Sequence, residues 1–268
     1  MKRKVLSRFF HILSEKRLTT VAGAWVYYFL SSVIPLAFLI ITAFGVFGVS
    51  ITNDIVSRLP DEFRLAGQTI IQTAENASNG VTVFFILTVI FSCTTLLNQM
   101  SKDGDFIYGE KSKHKRGLLR RLWAIGALAV LFFLFLGVAL LVAFGNMLTH
   151  KYTLGGIIKL LLTVLAFTVV LAVSYFIILL LHNFISPVRL KFNEIALGGF
   201  TSLCIVVIGT IGLTLYLKFF KPYNAFYGSL ASIVVFLIWA YILMLGLAVG
   251  VVVNMSIYKR RYLTSKKP

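Results

Sequence analysis

Thr88, Ser92, Thr95 and Gln99 recur at spacings of four, three and four inside an apolar run, so a helix puts them on one face. Their chemistry is hydrogen bonding. Hydroxyls and an amide can hold a polar solute, a water molecule or a neighbouring backbone, but none is a ready acid or base near neutral pH. Asn98 lies beside them. A second set, Tyr27, Tyr28, Ser31 and Ser32, precedes Pro35, a residue that frees a backbone carbonyl one turn earlier. A third set lies in "FLIWAYILMLGLAVGVVVN" (236–254), where Trp239, Tyr241 and Asn254 carry polar tips and Gly246 and Gly250 stand four apart. Glu194 is the one carboxylate near the interior of an apolar run, at the start of its helix, where the dipole favours negative charge. It is the one candidate for an ionisable coupling group.

These side chains need long helices to hold them. The chain has 268 residues, of which 59% are hydrophobic and 13% charged, and its apolar runs reach the roughly 20 residues that cross a bilayer. The runs predict an all-α, polytopic membrane protein with six transmembrane helices, at about 22–49, 79–99, 122–149, 156–184, 194–218 and 228–256. A polar stripe against lipid is costly, so the polar sets are expected to face inward. Two accounts fit. In one, they bond neighbouring helices or their own backbone and hold the bundle together. In the other, Tyr28, Ser32, Pro35, Ser92, Thr95, Asn98, Trp239, Tyr241 and Asn254 line a cavity open to the cytoplasm. Gly246 and Gly250 are expected to form a packing seam with another helix, with Asn254 continuing the same face.

The net charge of +17 follows the topology. Twenty of the 26 Lys and Arg residues fall in the N-terminal segment, the 100–121 loop, the 185–193 loop and the tail. Basic loops stay cytoplasmic, which predicts both termini on that side. Anionic lipid headgroups are the natural counter-charge, and nucleic acid is not expected as a partner. Residues 1–20 read as a cytoplasmic amphipathic helix, because Leu6, Phe9, Phe10 and Leu13 share a face. Residues 21–257 form the transmembrane domain. Within it the outer loop 50–78 reads as one or two short helices, and 258–268 is a basic cytoplasmic tail.

The sequence offers little to catalysis. Cys93 and Cys204 each lie inside a span without metal-site neighbours, and the four histidines are scattered. No Walker loop, GxSxG or HExxH occurs. No catalytic residue, metal or cofactor is therefore expected, and no nucleotide hydrolysis.

"AWVYYFLSSVIPLAFLI" (24–40) resembles the first span of the YihY/BrkB family of bacterial inner-membrane proteins. "TLYLKFFKPYNAFYGSLASIVVFLIWAY" (214–241) is similar to that family's Tyr-Asn and Tyr-Gly-Ser-Leu-Ala signature with its following Trp-x-Tyr. "GVVVN" (250–254) matches the family's closing Gly-Ala-Glu-x-Asn at Gly250 and Asn254, and "FIYG" (106–109) its Ile-Tyr after span two. The resemblance implies six spans, cytoplasmic termini and a multi-pass place in the bacterial inner membrane. Where the family has Ala-Glu this chain has Val251-Val252, so any coupling through that glutamate is absent here. The ribonuclease BN label once attached to the family finds no cluster of acidic or histidine ligands in this sequence. The expectation is a transporter-like protein that handles a lipid or small solute through a cytoplasm-facing polar cavity. Its rival is a non-transporting scaffold or envelope-assembly factor. The GxxxG spacing leaves the oligomeric state open.

Overall fold

A computed structural model describes residues 17–46, 68, 72, 79–111, 126, 156–219 and 230–265. The N-terminal amphipathic stretch up to residue 16, nearly all of the 50–78 loop and the expected third span lie outside these residues. Five long helices are described: α1 (Leu18–Val46), α2 (Asn79–Tyr108), α3 (Gly156–Ile185), α4 (Phe192–Phe219) and α5 (Leu230–Ser265). Segments long and apolar enough to cross a membrane occur at Val164–Ile185, Phe192–Phe219 and Ile233–Arg261. The chain is a helical membrane protein.

Two helices outrun their apolar segments. α2 continues through Ser101, Lys102 and Asp103 to Tyr108, where Gly109 adopts φ +71° and bonds back to the Asp105 carbonyl. That left-handed residue is a glycine cap, and it ends the helix. α5 runs past the expected boundary at 256 to Ser265. Hydropathy marks where lipid ends. The helix ends only where its backbone is capped or turned.

α5 is the hub of the bundle and touches each of the other four helices. α1 pairs with α2, and α3 with α4 across the six residues 186–191. The ends of α2, α3 and α5 and the starts of α1 and α4 share one end of the bundle, which carries Arg17, Lys102, Lys111, Arg189, Lys191, Lys259, Arg260 and Arg261. We call it the basic end. Much of the buried core lies near it: Leu18 to Val26 of α1, Leu97 to Tyr108 of α2, Ile178 to Ile185 of α3 and Met244 to Met255 of α5. In α4 the buried residues stop at Ser202, and beyond it Ile208, Ile211, Leu215, Tyr216 and Phe219 are exposed. Such apolar side chains suit a lipid-facing surface.

Candidate functional site

Gly246 and Gly250, expected to pack against another helix, face α4. Gly246, Gly250 and Asn254 are buried on one side of α5. A Cβ on Gly250 would collide with the Ser202 hydroxyl and the Gly198 carbonyl. One on Gly198 would collide with Asn254 Oδ1 and the Gly250 carbonyl. Each helix thus presents a glycine to the other's backbone, the close approach that small residues permit.

Three buried polar side chains from three helices meet at this crossing. Ser202 of α4 donates its hydroxyl proton to the Gly246 carbonyl at 2.9 Å. Its oxygen is then free to accept from His182 Nε2 of α3 at 3.2 Å. His182 Nδ1, left bare in that tautomer, accepts from Asn254 Nδ2 at 3.0 Å. This assignment follows from the bonding pattern, because a serine hydroxyl has one proton to give. Asn254 Oδ1 has no N–H or O–H donor; it points at the Gly198 Cα, a place for a weak C–H···O contact. The pattern is not that of a nucleophile. Ser202 gives its proton to a backbone carbonyl, and the imidazole faces it as a donor rather than as a base.

A second joint ties α1 to α2. Trp25 is wholly buried, and its indole N–H donates to Asp103 Oδ2 at 2.7 Å. Gln99, one turn earlier on α2, donates to Asp103 Oδ1 at 3.0 Å. Asp103 lies past the end of the expected second span. Burial pushes its carboxyl above the ordinary carboxylate range, while the Trp25 and Gln99 donors and the nearby Lys102 pull it back.

Glu194 serves a different purpose. As the third residue of α4 it reaches back with Oε2 to the Lys191 backbone N–H at 2.7 Å, half of a capping box. Its Oε1 accepts from Arg261 of α5 at 3.0 Å. The Tyr108 and Tyr258 rings lie near by, 6.3 Å apart, and burial raises the Tyr108 phenol above its usual value.

The remaining expected lining residues are only partly brought together. Ser32 is buried and donates to its own helix at Phe29 O, 2.8 Å away, with the Cys93 thiol of α2 beside it. Thr95 donates to Phe91 O at 2.7 Å, again within its helix. Pro35 is buried within a helix that continues through it. Tyr28, Ser92 and Asn98 are half-buried. Trp239 stacks on Phe236 at 6.0 Å, and Phe236 faces Phe29 of α1 at 6.5 Å. Tyr241 packs against the apolar core. Trp25, Ser202 and Gly198 were not singled out from the sequence. The four-residue spacing of Gly198 and Ser202 was the one available signal, a small-xxx-small pair on a second helix.

Helices of this length and apolarity, joined by polar bonds between them, define an integral membrane protein of the helical-bundle class. The chain belongs to the family described as Virulence factor BrkB, whose model matches residues 9–268. It is 24% identical over 250 residues to the UPF0761 membrane protein NTHI0384 of Haemophilus influenzae (strain 86-028NP), covering 90% of each chain. A UPF0761 membrane protein of Coxiella burnetii (strain Dugway 5J108-111) is 32% identical over 83 residues, 31% of this chain and 30% of that one. A Bacillus subtilis (strain 168) protein, YfkH, whose name carries the description ribonuclease-like, is 22% identical over 253 residues, 90% of each chain. No solved structure matches the chain.

Proposed function

We propose that this membrane protein is transporter-like and moves a lipid or small solute along a polar route that opens at the basic end, without nucleotide hydrolysis. By the positive-inside rule that end is cytoplasmic and the membrane is the bacterial inner membrane, with anionic headgroups against its lysines and arginines. One observation carries the reading. Among the described residues, the buried polar side chains Ser101, His182, Ser186, Glu194, Ser202 and Asn254 lie toward the basic end, and Ser32 sits at mid-helix. Bonds between helices such as His182–Asn254 and Glu194–Arg261 can be exchanged for bonds to water or solute, so a polar-jointed end can part where an apolar one resists. On this reading the cavity expected from the sequence forms as these joints open.

The scaffold reading has an observation of its own. The Ser32, Thr88 and Thr95 hydroxyls all return to carbonyls of their own helices, which makes them packing residues. Nuclease activity is the weakest of the three readings, since Asp103 and Glu194 are already engaged with Trp25, Gln99 and Arg261.

Cysteine accessibility separates the first two. Single cysteines at Ser92 and Asn98, in a background with Cys93→Ala and Cys204→Ala, would be treated with a membrane-impermeant maleimide in inverted vesicles. Labelling at both positions is the expected result. Protection of both, in protein that remains folded, would leave the scaffold.

A further inference from the structure

Asp103 and Glu194 both lie at the basic end, and their partners differ in kind. The two groups that bond Glu194, the Arg261 guanidinium and the Lys191 backbone N–H, can only donate, and one of them is cationic. That arrangement accepts an ionised carboxylate and nothing else. Asp103 has two neutral partners. Trp25 can only donate, so it requires one carboxyl oxygen to be an acceptor, as it is whether the acid is ionised or neutral. Gln99 carries both an NH2 and a carbonyl oxygen. Its NH2 now faces Asp103 Oδ1; a turn of the amide would present the carbonyl oxygen to a protonated Oδ1–H instead. The indole fixes one oxygen, and the amide can serve the other in either state.

We propose that Asp103 is a proton-binding site of the bundle, held by Trp25 from α1 and Gln99 from α2. Burial of the carboxyl favours the neutral form and moves its titration upward from the ordinary aspartate value. α3 meets α2 at Gly104 through the uncharged Ile185. On α2, Lys102 acts on it through space, and Asp105 lies farther along the same helix. α1 brings Trp25 to it, while Arg17 at that helix's start is exposed. From α5, Tyr258 packs against Tyr108. Proton uptake turns Oδ1 into a donor and takes charge from the acceptor of the Trp25 N–H, so the bond that joins α1 to α2 weakens. The site stands whether or not the chain moves a solute. If it does, the proton is the natural coupling ion.

Trp25 is a built-in reporter. The chain has three tryptophans, so Trp123→Phe with Trp239→Phe leaves Trp25 as the single indole. Its emission would be followed against pH in lipid nanodiscs, with and without Asp103→Asn. The expected result is a sigmoidal change with a midpoint above the ordinary aspartate value of about 3.9, lost in the Asp103→Asn form. A flat response, a midpoint at or below that value, or a transition that survives Asp103→Asn would overturn the proposal. Infrared spectra of the protein with all three tryptophans, against Asp103→Asn alone, test the same point if the two phenylalanines disturb folding. A protonated-carboxyl band that fades as pH rises must be missing from the variant; its persistence would overturn the site. Neither readout involves transport, so failure here is distinct from failure of the maleimide test.

Discussion

The two joints at the basic end hold helices together by opposite means. Between α4 and α5 the fit is steric: glycine faces glycine, and the His182–Ser202–Asn254 bonds are neutral and fully buried. Between α1 and α2 the fit is electrostatic: one carboxylate is shared by an indole and an amide. The first joint, the glycine crossing, leaves no room for a larger side chain, and the α4 carboxylate, Glu194, lies one turn before Gly198, paired with Arg261. The second tolerates a change of charge because one of its partners can turn. A bundle built this way can respond to pH on one side while the other side stays shut.

The most severe way to break the steric joint is Gly250→Leu, which drives a side chain into Ser202 and the α4 backbone. We expect a loss of roughly 3 kcal/mol or failure to fold, read as thermal stability in detergent; an unchanged Tm would refute the seam. Trp25→Phe should cost about 2 kcal/mol at neutral pH, because a half-buried carboxylate loses a donor. That penalty should shrink in acid. A carboxyl raised on folding lends stability in full below its unfolded value and loses it as pH climbs through the folded value. Asp103→Asn imitates the neutral acid, so its Tm should gain on wild type as pH rises through that window. Parallel Tm curves would show that Asp103 does not titrate there. Ser202→Ala should cost about 1 kcal/mol, with little dependence on pH over the same window, which sharpens the contrast between the joints. Glu194→Gln should be mildest, about 0.5 kcal/mol. Arg261 is half exposed, and glutamine can still cap the Lys191 N–H; a large loss would mean the pair matters more than its setting suggests.

Apolar run length anticipated long helices where α3 and α4 lie and over most of α5, because crossing lipid constrains length and composition together. It did not reveal that α2 would carry Asp103 onward in the same helix, since nothing about a charged stretch says whether its backbone stays coiled. Gly250 and Asn254 could be read as one face from their spacing. Their partners could not: Gly198 and His182 lie on other helices, and a single sequence holds no record of which helix meets which. Trp25 and Asp103 are 78 positions apart, one inside an aromatic stretch and the other among lysines. Glu194 was readable as a helix start because capping is local. Arg261, its long-range partner, was not.

The central place of α5 sets an order of events in manufacture. Of the described helices it is the last to leave the ribosome, yet it is the one that all the others touch. α1 to α4 must therefore wait, their inward glycines and hydroxyls provisionally covered by lipid or by one another, until α5 arrives. A chain stopped before residue 230 would be inserted but uncored. Quality-control proteases that survey the membrane would meet it as an orphan, however faithfully its earlier spans had been threaded.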